Sequence, residues 1–331
     1  MKILFLFLFL SAYIYGESTL KIATYNVENL FDLQRSGHEY KEYIPNTSSQ
    51  WNAKTYTMKL KNIARVIQDI NADIIALEEI ESLQALKDLR YTLKKNNLYY
   101  QYYKIANRKN TTIKVAILSK IPFVYTKEIF VTSSYKYRNI LEAKFKINHQ
   151  ELYIFVNHWK SKAGPESMRI VSAKALRKRV QHLGFDKNII LLGDFNSDYE
   201  EYKHFQRKRK LNDTNGHTGI NDVLHTKNKH TKKSLYNLWY DTDKNKRYSY
   251  IYRGKKEAMD NIIITPTLLK NSKLHYKKNS IQAFDKKYLF KGKYPYRWKV
   301  SRGKVRKHKG EGFSDHLPVI AEFVVQANTT Q

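Results

Sequence analysis

The chain has 331 residues, with 60 Lys and Arg against 30 Asp and Glu for a formal charge of +30, 42% hydrophobic content, 26 tyrosines and no cysteine. The apolar content excludes a wholly disordered chain, and the missing thiols exclude disulfides, thiolate metal sites and lipoprotein anchoring. The basic excess favours polyanionic partners, namely nucleic acid, anionic lipid or surface glycan.

Lys2 precedes a run, residues 3–14, that is apolar but for Ser11, with Gly16 and Glu17 following. This is a signal-peptide pattern over residues 1–16, too short for a comfortable span, which needs roughly 20 residues. An uncleaved anchor is the alternative, and no membrane span is expected after processing. The mature part, residues 17–331, shows no internal repeat and no Gly/Ser/Pro linker, so one domain with one core is expected.

Residues 20–29 alternate as a strand and place Asn26 and Glu28 on one face at its end. A helix over 52–70 follows, with Leu60, Ile63, Val66, Ile67 and Ile70 in one stripe. The next strand, 73–77, delivers Glu78 and Glu79 to opposite sides. Ser82 caps a helix carrying Leu83, Leu86, Leu89 and Leu93. Strands are predicted over 99–105, 113–118, 140–147 and 152–156, the last running into Asn157 and His158. Pro165 opens a helix, and a basic stretch from 203 to 233 reads as loop and surface helix.

Between these two lies a buried-type strand, 189–192, that stops at Gly193 and presents Asp194 and Asn196 from one rim. An Asp there can take a proton or orient a water, and an Asn can donate to a phosphoryl oxygen without adding negative charge. A plain turn is the alternative, because Gly-Asp and Asn-Ser are common turn formers. Further on, Asp260 sits in the apolar run 259–264, and Asp315-His316 precede a last strand ending near 324. Polar strand ends thus gather Asn26, Glu28, Glu79, His158, Asp194, Asn196, Asp260, Asp315 and His316. Periodicity alone gives a mixed α/β chain.

In order, the segments TYNVEN, LEE, NHWKSK, GDFNS, MDN and SDH make the chain resemble the endonuclease/exonuclease/phosphatase superfamily over roughly residues 20–324. That group includes pancreatic-type deoxyribonucleases, abasic-site endonucleases, bacterial sphingomyelinases and inositol phosphatases. The nearest likeness is to secreted bacterial nucleases, which also carry an Asn-Leu-Trp-Tyr segment before Tyr-Ser-Tyr, here 237–250.

The resemblance implies an α/β (α+β) four-layer sandwich, with two central β-sheets packed face to face, flanked by helices, and the site at one end of the sheets. It makes Glu79 a metal-binding carboxylate, with Glu28, where the family often has Asp, and Asp315 as further ligands; hard oxygen donors suit Mg²⁺, Mn²⁺ or Ca²⁺. His316 becomes general base or phosphate-stabilising imidazolium, with Asp260 fixing its tautomer. Asp194 orients water or leaving group, Asn26 and Asn196 donate to phosphate, and Arg138 contacts phosphate. His158 is kept in deoxyribonuclease-like and sphingomyelinase-like members but not in abasic-site endonucleases.

The expected protein is therefore a secreted or periplasmic, monomeric, metal-dependent nuclease that cuts DNA endonucleolytically, with RNA left open. A sphingomyelinase-like phospholipid phosphodiesterase is the alternative, although no long apolar insertion for membrane contact is visible. The basic segment 270–309 is expected to lie against a nucleic-acid backbone.

Overall fold

The computed structural model describes residues 17–107, 111–205, 210–227 and 233–327, so the expected signal peptide and part of the basic stretch after 203 lie outside it. The first half runs β1 (Ser18–Leu30), α1 (Ala53–Ile70), β2 (Ile74–Ile80), α2 (Leu83–Lys95), β3 (Tyr102–Ile105), β4 (Lys114–Ser119), β5 (Phe123–Ile129), β6 (Ile140–Ile147) and β7 (Gln150–His158). Then come α3 (Glu166–Leu183), β8 (Asn188–Asp194), the single turn α4 (Glu201–His204), β9 (Tyr236–Asn237), β10 (Tyr250–Tyr252), β11 (Lys255–Glu257) and β12 (Asp260–Ile264). Short strands β13 (Leu274–Tyr276), β14 (Gln282–Ala283), β15 (Phe290–Lys291) and β16 (Tyr294–Pro295) lead to β17 (Val319–Val325).

Two large mixed sheets result. One has the order β13-β17-β1-β2-β4-β3, with β14 also on β17, and the other β5-β6-β7-β8-β12-β9. Strand parity explains why they stack. Ile154, Val156, Ile190, Leu192, Ile262 and Ile264 share one core with Ile22, Ala23, Ile75 and Leu77 of the first sheet. The alternate residues Phe155, Ile189, Leu191 and Ile263 instead meet Ala173, Leu176 and Val180 of α3. Each face of the second sheet is thus apolar, as a strand covered on both sides requires. Burying each such Leu or Ile contributes roughly 1.5–3 kcal/mol. Helices α1 and α2 cover the other face of the first sheet, completing four layers.

Local chemistry sets the helix limits. Asn52 accepts from the amides of Lys54 and Thr55 while Thr55 reciprocates, a capping box, and Asn71 ends α1 in the left-handed region. Ser82 accepts from the Ala85 amide, as its position before the leucine stripe suggests. Several features depart from the sequence reading. The strand expected from 99 begins at Tyr102, β5, β9, β10, β11 and the strands between β12 and β17 are additional, and the basic stretch holds a π-helical turn, Gly219–Val223, whose Ile220 packs in the α3 core. No helix among the described residues is long and apolar enough to cross a membrane.

Candidate active site

The site grows out of the inter-sheet core where the strands end. His158, Asp194 and Asp260 lie in register on β7, β8 and β12, so they form one row across three neighbouring strands. They have the same parity as Val156, Leu192 and Ile262, so their side chains continue the face that packs between the sheets. Gly193 makes the row possible. Its φ is +128°, and a Cβ there would stand 2.0 Å from the Asn157 carbonyl oxygen, so only glycine fits.

From the other sheet, β1 and β2 arrive with irregular ends. The β1–β2 register shifts between Asn26 and Leu30, Glu28 and Asn29 have φ of 51° and 63°, and Glu79 has φ of 67°. Such bulges re-aim side chains that simple alternation would misplace. Glu78 turns inward and accepts from Thr24 Oγ1 at 2.8 Å, whereas Glu79 faces the cleft.

The cleft, about 650 Å³, is lined by Glu28, Glu79, Arg138, His158, Asp194, Asn196, Asp315 and His316. Asn26 and Asp260 stand immediately behind. Asn26 Nδ2 donates to Glu79 at 3.3 Å and to Asp194 at 3.1 Å, bridging the two carboxylates. Asn196 Nδ2 donates to Asp194 and to the Trp159 carbonyl, and its amide donates to Asp194 Oδ1 at 2.8 Å. Both asparagines, expected as phosphate donors, hold Asp194 in this structure. Arg138 Nη1 donates to the Trp159 carbonyl at 3.2 Å.

The two histidines differ in environment. His316 Nδ1 lies 2.7 Å from Asp260 Oδ2, and its ring packs tilted at 36° against Tyr250 with centroids 4.8 Å apart. Burial opposes charge on this ring, but Asp260 and then Asp194 outweigh it and raise its pKa well above the ordinary value. His158 Nε2 is 3.5 Å from Asp194 and 3.8 Å from Glu79. Burial, with help from Arg138, holds its pKa well below the ordinary value. Asp194 is raised, first by burial.

A divalent metal would fit the carboxylates on the first-sheet side. Burial and the nearby Asp315 charge raise the Glu79 carboxyl, and the same causes push Glu28 up to about 8. A cation held by Glu79 and Asp315 would relieve that repulsion, and oxygen donors suit a hard ion. Asp194, Asp260 and His316 also bring one ligand atom each within 4.8 Å of one another. The 2.7 Å contact inside that trio reads better as a dyad beside a carboxylate, because the ring nitrogen facing Asp260 is already taken.

Two residues were not among the expected site residues, although one of them, Arg297, belongs to the basic segment expected to meet a nucleic-acid backbone. Arg297 donates through Nε to Glu28 Oε1 at 2.8 Å, and the Trp298 amide donates to Glu28 Oε2 at 2.9 Å, so both oxygens of Glu28 are engaged. Lys59, fully buried on the apolar stripe of α1, donates to the carbonyls of Glu28 at 2.9 Å and Phe313 at 3.0 Å. The only sequence signals were a lysine out of place in α1 and the alternating Tyr-Arg-Trp-Lys of 296–299.

Anion binding, proton transfer and charge neutralisation meet at the rim of a two-sheet sandwich, and those are the requirements of a phosphoester hydrolase. The chain belongs to the Endonuclease/Exonuclease/phosphatase family, whose sequence model matches residues 21–325. That makes it a hydrolase of a metal-dependent phosphodiesterase family. Similar solved structures include TDP2 of D. rerio complexed with single strand DNA product (12% identity, 92% of this chain and 99% of that one, TM-score 0.56). An AP endonuclease from Archaeoglobus fulgidus (14%, 91% and 98%, 0.57) and a mannosyl-6-phosphatase from Bacteroides thetaiotaomicron (17%, 92% and 99%, 0.56) are also similar. At these identities the likeness shows the fold. No curated protein matches.

Proposed function

We propose that the protein is an exported, metal-dependent endonuclease that hydrolyses phosphodiester bonds of DNA. The observation that carries this reading is the row His158, Asp194 and Asp260 with His316 locked on Asp260, two imidazoles of opposite protonation tendency around one carboxylate. A phosphodiester resists hydrolysis because its charge repels the nucleophile and its alkoxide leaves poorly, so a site must neutralise, deprotonate and protonate in one place. His316, its charge stabilised by Asp260, is suited to give a proton or hold a phosphoryl oxygen. Asp194, fixed by Asn26 and Asn196, is suited to orient the water. Glu79 and Asp315 would hold the metal, which supplies Lewis-acid stabilisation of developing charge.

The charge of +30 and the cleft arginines favour a polyanion over a neutral ester. The β10–β11 tip, Arg253-Gly254-Lys255-Lys256, is basic and suits phosphates better than a lipid interior. A fold neighbour solved with a single-strand DNA product lends the substrate class support. Incubation with covalently closed plasmid, linear duplex and RNA tests this reading. Nicking of the plasmid that needs a divalent metal and stops in excess chelator is expected. An intact plasmid, or cleavage undiminished by chelator, would refute it. Export is read from the mature N-terminus of protein from its native host, expected at or near Glu17; an intact Met1 would mean anchoring.

A further inference from the structure

The segment leading back to Asp315 delivers one residue into the cleft. Trp298 is buried against Trp51, with rings perpendicular and centroids 6.4 Å apart, and its indole N–H donates to His308 Nδ1 at 2.8 Å. The returning chain passes so close that a Cβ on Gly312 would stand 2.0 Å from the Arg297 carbonyl oxygen, at φ of +93°. Arg297 is thereby fixed in the wall. Its Nε and Nη2 both donate to Glu28 Oε1, and Nη2 stands 3.4 Å from Asp315 Oδ2. Yet the side chain is 62% exposed and lines the cleft, with Nη1 engaged by neither carboxylate.

We propose that Arg297 is a substrate-binding residue whose Nη1, engaged by neither carboxylate, donates to a non-bridging phosphoryl oxygen on the Glu28 and Asp315 side of the cleft. A guanidinium carries three donor nitrogens, and here the carboxylates occupy Nε and Nη2 while Nη1 keeps both of its donor hydrogens for a ligand in the cleft. Anchoring by carboxylates removes in advance the rotamer entropy that a free arginine loses on gripping an anion. It also offsets part of the local negative charge. Glu28 and Asp315 alone would repel a phosphate, whereas Arg297 in front of them presents positive charge, complementing Arg138 on the Trp159 side.

The inference rests on the phosphoester reading and not on the nuclease reading, so the probe is inorganic phosphate, titrated calorimetrically into the full chain in excess chelator. Only the chain's own cations then act. Arg297→Gln should weaken phosphate about tenfold or more, as expected for loss of a charge-assisted bond. Arg297→Lys, which keeps charge but loses the fork, should fall between. Equal affinity of Arg297→Gln and wild type, or no phosphate binding by wild type, overturns the proposal. Should Arg297→Gln fail to fold, Arg297→Lys decides, and wild-type affinity in that variant overturns it equally. Phosphate binding that depends on Arg297 alongside an uncut plasmid would sink the nuclease reading and leave this one standing.

Discussion

His316 and Asp260 act as a unit, and their substitution should reveal it. Removing the imidazole as His316→Ala removes both proton and charge and should lower turnover by roughly 10²–10⁴-fold. Asp260→Asn leaves the ring but weakens the charge that raises its pKa, so it should lower turnover less, and the double variant should be little worse than His316→Ala alone. Steady-state rates on a fluorescent oligonucleotide check this; near wild-type turnover of His316→Ala would remove the motif from the mechanism. Glu79→Gln should abolish metal-dependent cleavage while leaving thermal unfolding nearly unchanged. Glu79 is a strand-end group that packs no core and whose charge is opposed by burial and by Asp315, so neutralising it offsets the lost Asn26 contact in the unloaded protein.

At the scale of elements, the return segment from Tyr296 to Gly312 is held by a ring that works only when neutral. His308 Nδ1 accepts from Trp298, and Nε2 donates to the Glu42 carbonyl at 2.9 Å, so a protonated ring would lose the first bond. Burial lowers its pKa from 6.5 to about 4. Between those values the unfolded chain binds a proton that the native ring does not. The stabilisation, up to about 3 kcal/mol, is therefore whole above pH 6.5 and lost as pH falls towards 4. Unfolding midpoints measured across that window should fall more steeply for wild type than for His308→Gln, and parallel curves would show that the ring does not titrate there.

The same segment marks the limit of what sequence shows. Parity made the row on β7, β8 and β12 legible, because their apolar runs pass directly into His158, Asp194 and Asp260. Edge strand β5 was invisible, since Phe123–Ile129 is mostly half-exposed and shows no apolar alternation. The bulges after Asn26 and Leu77 were equally hidden, being fixed by cross-strand register and not by local residue type. Glu28 was accordingly legible as a site residue but not as the partner of Arg297, a contact spanning 269 positions.

For the whole molecule the dominant fact is the charge, and the structure divides the basic segment into two parts with different surroundings. Arg297 faces the cleft, whereas the exposed tip carrying Lys304 and Arg306 lies beside Lys41, Glu42 and Ile44, with Arg306 bonded to Glu42 at 2.6 Å. A long polyanion reaching beyond the cleft would meet this tip; a mononucleotide would not. Replacing Arg302, Lys304, Arg306 and Lys307 with Gln should therefore leave cleavage of a dinucleotide unchanged while weakening duplex DNA. Every cation withdrawn from a phosphate flattens the plot of log K against log salt by about 0.9, so a slope shallower by roughly three to four is expected, the smaller value if Arg306 stays on Glu42. Fluorescence anisotropy over a salt series measures it. An unchanged slope would confine binding to the cleft and leave the positive tip a solvated surface, with the field of the whole chain steering association instead.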